Sequence, residues 1–209
     1  MIPLVKDPCE LIVTTTSNPS ERPLRSDARR NRERILSGAR AVFAECGSEA
    51  QMDDVARRAG VGVGTVYRHY PTKEALLVEL VREKFRLFAA EAREALERDG
   101  EPFEVLADLM RSNAEALERD AGTQQVLAGA GEHIWTHAAA EQNELLELTT
   151  QLIDRARRAG TIRADATAAD IGMLMCGLSA TMAHHAPGFD WRRYLDLVID
   201  TLRPRVTPD

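Results

Sequence analysis

The sequence has no uninterrupted apolar run close to the about 20 residues that a membrane-spanning helix needs. Its first residues are apolar only in patches, because Asp7, Pro8 and Glu10 interrupt any signal-peptide core. Cysteine is also scarce, and the three cysteines are widely spaced and odd in number, which predicts free thiols in a reducing compartment. These absences predict a cytoplasmic protein with no membrane partner.

Alternating runs of Val, Ile and Thr are nearly absent as well, so little or no β-sheet is expected. The frequent Ala, Leu, Glu and Arg residues favour helix instead. The sequence has no glycine-rich phosphate loop after a strand, no Gly-x-Ser-x-Gly motif and no cysteine pair at metal-ligand spacing. An all-α protein that is not an enzyme is therefore predicted, with no cofactor and no metal site.

The charge is uneven along the chain, although its formal total is −6. Residues 22–84 hold 13 basic against 9 acidic side chains, a net of +4, whereas residues 85–209 hold 13 against 21, a net of −8. Such asymmetry indicates that the basic part meets a polyanion. Chance scatter of surface charge explains the same numbers, so charge alone leaves the partner open.

The helical period begins after residues 1–25, where prolines and a polar run predict a disordered tail. Ser26 is the predicted N-cap of a first helix. A second helix is predicted from Gln51 to Ala59 and a third from Gly62 to Tyr70, and Thr72 can cap a fourth. Helices this short need a shell of neighbours, which the first and fourth helices supply.

Gly60 separates the second and third helices at a position where a helix end needs a left-handed residue. Helix, short turn with glycine, helix is the helix-turn-helix pattern, whose second helix enters the major groove of DNA. Gly62 and Gly64 at the start of that helix let the backbone approach DNA closely. The candidate DNA-binding residues are Gly62, Val63, Gly64, Thr65, Tyr67, Arg68, His69 and Lys73.

These side chains carry the chemistry that double-stranded DNA requires. Thr65 can donate its hydroxyl to phosphate and present its methyl group to thymine, and Tyr67 and His69 have polar tips suited to phosphate oxygens. Arg68 is the best candidate for bidentate contact with guanine, or for a phosphate. Lys73 opens the fourth helix, whose free N–H groups also favour phosphate.

The stretch VARRAGVGVGTVYRHYPTKEALL resembles the DNA-binding signature of the TetR family of transcriptional regulators, and the resemblance covers about residues 26–80. It departs from the family pattern at Gln51, where a capping Ser or Thr is usual, and at Gly62, where Ser is common. The runs TAADIGMLMCGL and WRRYLDLVIDTLRP look like the SbtR-like branch of the family.

The resemblance implies an N-terminal three-helix helix-turn-helix DNA-binding domain at residues 26–72 and a C-terminal helical ligand-binding and dimerisation domain at residues 73–209. It implies a repressor that binds a palindromic operator as a homodimer and is released by an unknown small-molecule inducer. By the same resemblance, the last two long helices form the dimer interface. Apolar stripes on both helices support this interface, with the monomer's own core as the alternative; the stripes are Ile171, Leu174, Met175, Leu178 and Met182 in one helix and Leu195, Val198, Ile199 and Leu202 in the other.

A mostly apolar pocket with a few polar groups is typical of small-molecule sites. The residues that could line one, each also explained as plain core, are Met110, Asn113, Leu117, Leu127, Trp135, Leu148, Leu152, Met173 and Cys176.

Two histidine pairs in the sequence are better explained by structural roles than by metal binding. His133 and His137, at i and i+4, have a spacing that can hold a metal, but polar helix surface or pocket lining explains it better. His184 and His185 are expected to cap a helix C-terminus.

Three other functions fit parts of the sequence. An activator or a non-specific DNA organiser would keep the same DNA-binding residues. A ligand-binding or metal-sensing protein that no longer binds DNA is opposed by the presence of Thr65, Tyr67, His69 and Lys73 together. An enzyme would need motifs that the sequence does not contain. The sequence specifies neither the inducer nor the operator.

Overall fold

The computed structural model describes residues 21–128, 131, 133–182, 188 and 190–204. Within these ranges the regular structure is helical with no strand, which confirms the predicted all-α fold. The helices are α1 (Glu21–Cys46), α2 (Met52–Ala59), α3 (Val63–His69), α4 (Lys73–Glu97), α5 (Pro102–Arg119), α6 (Ala121–Ala128), α7 (His133–His137), α8 (Ala139–Arg158), α9 (Ala168–Met182) and α10 (Trp191–Thr201), with a 3-10 helix at Gly47–Glu49. None of the helices in the described ranges is long and apolar enough to cross a membrane.

The first helix begins at Glu21, five residues before the predicted N-cap at Ser26. The prolines before Ser26 were the reason to predict a tail there. Pro23, however, falls in the first turn of α1, where backbone N–H groups have no intrahelical acceptor and proline is tolerated. The predicted tail therefore overlaps α1 at residues 21–25, and residues 1–20 lie outside the described residues.

The turn between α2 and α3 follows the predicted glycine signal. Gly60 has a φ of +62°, in the left-handed region, and Val61 N–H donates to the Ala56 carbonyl at 3.1 Å. At the other end of α2, the backbone N–H of Gln51 donates to the Asp54 carboxylate at 3.4 Å. Asp54 thus supplies half of a capping box, which offsets the absence of a Ser or Thr cap.

The helix-turn-helix is held by an N-terminal core formed by α1–α4. Four residues from beyond α4 close this core: Val126 and Leu127 of α6, Ile134 of α7, and Ala138. Because these residues come from the predicted C-terminal domain, the packed unit around the helix-turn-helix extends past residue 72. The boundary between residues 72 and 73 stays a prediction.

A separate C-terminal core joins the end of α4 to α5, α8, α9 and α10. The apolar stripes of α9 and α10 face this core: Ile171 and Leu178 are buried, as are Leu195 and Ile199, and Leu174 packs against them. The expectation that these two stripes form a dimer interface is therefore wrong. The helical period predicts which side chains share one face of a helix. It does not predict that this face of α9 and α10 packs against the apolar faces of α5 and α8 in the same chain.

Candidate nucleic-acid interface

One side of α3 is anchored and the other is open to solvent. Val66 is fully buried in the N-terminal core, whereas Val63 and Tyr67 are 40% and 45% exposed, and Arg68 is exposed beside them. A Cβ atom added to Gly64 would meet nothing within 4 Å. No packing contact within the chain therefore accounts for glycine at this position, and its bare backbone faces outward.

The Arg68 side chain lies back along its own helix. Its Nε donates to the Gly64 carbonyl at 3.1 Å, and its Nη2 donates to the Thr65 hydroxyl oxygen at 3.2 Å. The structure thus joins two predicted DNA-binding side chains, Thr65 and Arg68, into one polar group. Contact with a base edge requires Arg68 to exchange these neutral acceptors for the acceptors of the base.

Lys73 is partly buried, whereas Arg68 is exposed. Its ammonium donates to the Ser48 carbonyl at 2.6 Å and lies 5.7 Å from the centre of the Phe43 ring. Next to it, the Thr72 hydroxyl accepts from the Ala75 N–H at 3.1 Å, which confirms Thr72 as the cap of α4. Lys73 therefore ties the start of α4 to the 3-10 helix and holds a positive charge beside free helix N–H groups.

The structure brings Tyr67, Thr72 and Lys73 together around a surface depression that also includes Gln51 and Asp53. The N-terminal ends of α2 and α4 both border this depression. The carboxylates of Asp53 and Asp54 line the α2 side of the depression, so an anion such as a DNA phosphate is favoured on the α4 side, beside Lys73 and the free N–H groups of that helix. Gln51 was not predicted to line this depression, although its position directly before α2 was the available signal.

His69 and Arg34 complete the surroundings of α3. His69 is half-buried, with its ring 6.2 Å from that of Tyr70. Arg34 of α1 donates from Nη2 to the Gly60 carbonyl at 2.6 Å and so lies across the turn that precedes α3. Arg34 was missed as a turn-holding residue because only the fold brings α1 over that turn.

The candidates for a ligand pocket do not form one group. Met110, Leu117 and Leu152 are buried in the C-terminal core, with Leu148 packed against it. Asn113 is near them in sequence on α5, and its Oδ1 is buried without a hydrogen-bond partner.

Leu127 and Trp135 belong instead to the N-terminal core, Leu127 buried in it and Trp135 packed against it. Met173 is 65% exposed and Cys176 is also exposed, so neither lines an interior pocket of this chain. They lie on the side of α9 away from its buried stripe, which is why their selection as pocket residues is wrong.

The histidine pair of α7 contacts its own helix and α4. His137 Nδ1 lies 2.7 Å from the His133 carbonyl, and His133 Nε2 lies 4.0 Å from the Glu74 carboxylate. Among the described residues, no three His, Cys, Asp or Glu side chains form a group able to hold a metal ion. His184 and His185 lie outside the described residues.

One polar contact near Trp135 was not anticipated from the sequence. The Lys84 ammonium of α4 donates to Gln124 Oε1 of α6 at 3.1 Å and lies 5.2 Å from the centre of the Trp135 ring. In the sequence, Lys84 stands in the charged run Arg82–Arg86 of α4, next to Phe85, where it resembles a solvated surface lysine. That signal did not reveal which residues would surround it.

Two family profiles cover most of the chain. Residues 35–80 match the profile described as bacterial regulatory proteins, tetR family. Residues 101–204 match the profile of the SbtR-like transcriptional regulator C-terminal domain. The first match contains α2 and α3, and the second contains α5–α10.

Relatives that match this chain over most of their length are also transcriptional regulators. The HTH-type transcriptional repressor KstR of Mycolicibacterium smegmatis is 30% identical over 190 residues, which are 88% of this chain and 92% of that repressor. The crystal structure of a TetR transcription regulatory protein from Mycobacterium vanbaalenii is 38% identical with a TM-score of 0.64, covering 87% of this chain and 99% of that one. Bacillus subtilis FadR, solved in complex with stearoyl-CoA, shares the fold at 22% identity with a TM-score of 0.67, covering 82% of this chain and 97% of that one.

Proposed function

Because this chain belongs to the TetR family of bacterial regulatory proteins, we propose that it is a repressor that binds a near-palindromic DNA operator as a homodimer. A small molecule that binds outside the helix-turn-helix releases it. The proposal includes a cytoplasmic location, where the operator is accessible.

The observation that carries the proposal is the two-sided character of α3. Val66 is fully buried, so the helix is rigidly seated on the N-terminal core. Its outer side offers an uncovered backbone at Gly64, followed by Tyr67 and Arg68. An exposed helix that combines bare backbone with hydroxyl and guanidinium groups fits the major groove, where base edges and phosphates are both within reach.

A homodimer is supported by apolar side chains that the monomer leaves in solvent. Met173 on α9 is 65% exposed and Leu197 on α10 is 56% exposed. A Cβ atom at Gly172 would meet nothing within 4 Å, so the backbone of α9 is open to close approach. We call Gly172, Met173 and Leu197 the outer face of α9 and α10, and we propose that a second copy covers it. Two α3 helices could then meet successive major grooves.

Release by a small molecule is supported by the way α6 and α7 enter the N-terminal core. Leu127 and Ile134, both 1% exposed, pack against the helices that hold α3. A ligand that binds one arrangement of α6 and α7 more tightly than another would shift the position of α3. That Bacillus subtilis FadR was solved with stearoyl-CoA supports the idea that this fold can hold such a ligand.

The test is selection of bound duplexes from a random pool at about 150 mM salt, where non-specific contacts are already weakened. Recovery of an inverted repeat is the expected result, with specific binding about 10³-fold or more tighter than binding to unrelated duplex. Sequence-blind binding that disappears as salt rises would contradict a specific repressor and favour a non-specific DNA organiser. An activator would recover the same repeat but would raise transcription from it in a reconstituted assay.

A further inference from the structure

Lys84 lies where α4 meets α6 and α7. Its ammonium donates to Gln124 Oε1 at 3.1 Å, and it lies 5.2 Å from the centre of the Trp135 ring and 5.6 Å from that of Phe85. Lys84, Phe85 and Trp135 are each half-buried. The cation is thus partly removed from water and still reachable from the surface.

The positive charge of Lys84 has poor compensation within the chain. Burial lowers the pKa of its ammonium, and the Asp120 carboxylate opposes this shift without forming an ion pair with Lys84 in the described part of the chain. Burial also raises the pKa of Asp120, so that carboxyl is itself a disfavoured anion. A partly buried ammonium with one neutral acceptor is stabilised when an anion joins it.

Gln124 supplies a second donor beside the ammonium. Because its Oε1 accepts from Lys84, its amide nitrogen must point the other way. That Nε2 atom is buried and forms no hydrogen bond of normal geometry, although the Asp120 carboxylate lies close enough to interact with it. An unsatisfied buried donor destabilises the chain, and a ligand oxygen that accepts from it would remove that cost.

We propose that Lys84 and Gln124 form the head-group site for a small-molecule carboxylate whose apolar part lies along Phe85 and Trp135. The proposal rests on the proposed function, because it gives the chemical class of the molecule that releases the repressor. One ammonium and one amide match a monoanion with two oxygens, whereas a phosphate dianion would need more positive charge. The aromatic rings favour an apolar body.

The same two short helices connect this site to DNA binding. In α6, Gln124 faces Lys84, while Leu127 is buried in the N-terminal core. In α7, Trp135 lies over Lys84, while the adjacent Ile134 is buried in that core. A carboxylate that pulls Gln124 or displaces Trp135 therefore acts on the packing of α6 against α1 and of α7 against α4, in the core that also holds Val66 of α3.

The test uses the full chain with Trp191→Phe, which leaves Trp135 as the one tryptophan of the two in the sequence. Straight-chain and aromatic monocarboxylates of two to eighteen carbons are titrated, each against its primary amide, with Trp135 fluorescence as the direct readout. Release of the selected operator duplex is measured in parallel. We expect at least one acid to change Trp135 emission saturably and to bind about tenfold or more tightly than its amide, as for a lost charge-assisted hydrogen bond.

Two variants locate the head group. Lys84→Met removes the charge at similar volume, and Gln124→Glu places a carboxylate against the ammonium and so occupies the site from within. Each should weaken the acid about tenfold or more. Thermal unfolding identifies a variant that has not folded. The acid affinity of the other, folded variant then tests the proposal. If no acid alters Trp135, or if the acid that does so binds both folded variants as tightly as the parent, the proposal is overturned.

The two proposals fail separately. If the protein binds a specific operator but no acid binds in a way that depends on Lys84, the head-group site is overturned and the repressor proposal stands. Lys84-dependent acid binding in a chain that selects no operator confirms the site and overturns the repressor.

Discussion

The Lys73 ammonium donates a hydrogen bond to the Ser48 carbonyl oxygen at 2.6 Å, which connects the first turn of α4 to the 3-10 helix that follows α1. One side chain thus has a structural contact and a predicted contact with DNA phosphate. The two roles differ in their salt dependence. The hydrogen bond to Ser48 stabilises the fold at any salt concentration, whereas a phosphate contact releases counterions and so weakens as salt rises.

Lys73→Ala should weaken DNA binding evenly across sequences and reduce the slope of log affinity against log salt by about one. The measurement is fluorescence anisotropy of operator and unrelated duplexes at four or more salt concentrations. An unchanged slope with a lowered unfolding midpoint would contradict a phosphate contact and leave only the bond to Ser48.

Arg68→Ala should relax the preference at particular base pairs at a cost of about 1–3 kcal/mol, because a bidentate contact to guanine carries sequence information. Repeating the duplex selection with the variant measures this directly. Arg68→Lys keeps the charge without the fork and is the matched control, which should retain salt dependence but lose the preference. An unaltered preferred sequence in Arg68→Ala would assign the guanidinium to phosphate alone.

Gly60 and Gly64 are four residues apart and should respond oppositely to alanine. Gly60 has a φ of +62°, and an added Cβ would lie 2.6 Å from the Arg34 guanidinium. We expect Gly60→Ala to cost about 1–2 kcal/mol and to lower the unfolding midpoint by roughly 2–8 °C.

Gly64→Ala is the matched control, since an added Cβ there meets nothing within 4 Å. Helix propensity should stabilise α3 by up to about 1 kcal/mol. Operator affinity should nevertheless fall, because the methyl group occupies the space through which DNA approaches the backbone. Operator binding as tight as the parent's would show that α3 does not approach DNA closely at Gly64.

The parts of the fold set by local chemistry were predictable from the sequence. The left-handed Gly60 and the Thr72 cap each depend on a few neighbouring residues, and the helix-turn-helix follows from them. The start of α1 was not predictable, because Pro23 permits either a tail or a first turn.

Tertiary contacts explain what the sequence left open. Helical periodicity places Ile171 and Leu178 on one face of α9, yet it cannot say whether α5 and α8 or a second copy covers that face. For the same reason Met173 was placed inside and lies outside. Lys84 was missed because its importance depends on Gln124 and Trp135, which are 40 and 51 residues away in sequence and meet it only in the fold.

The exposed side chain of Met173 lies in the face that we propose a second copy covers. Met173→Glu combined with Leu197→Glu should convert the protein from twice the chain mass to the chain mass, as measured by light scattering after size exclusion. Charges placed at the proposed interface would be desolvated without partners, which costs several kcal/mol.

Leu87→Glu on α4 is the matched control, since Leu87 is 55% exposed and Leu197 is 56% exposed. The control should keep the parent's mass and its affinity for the inverted repeat, whereas the double variant should bind a half-site and the full repeat equally weakly. A double variant that keeps the parent's mass would place the dimer interface elsewhere on the chain and would remove α9 and α10 from the proposed mechanism.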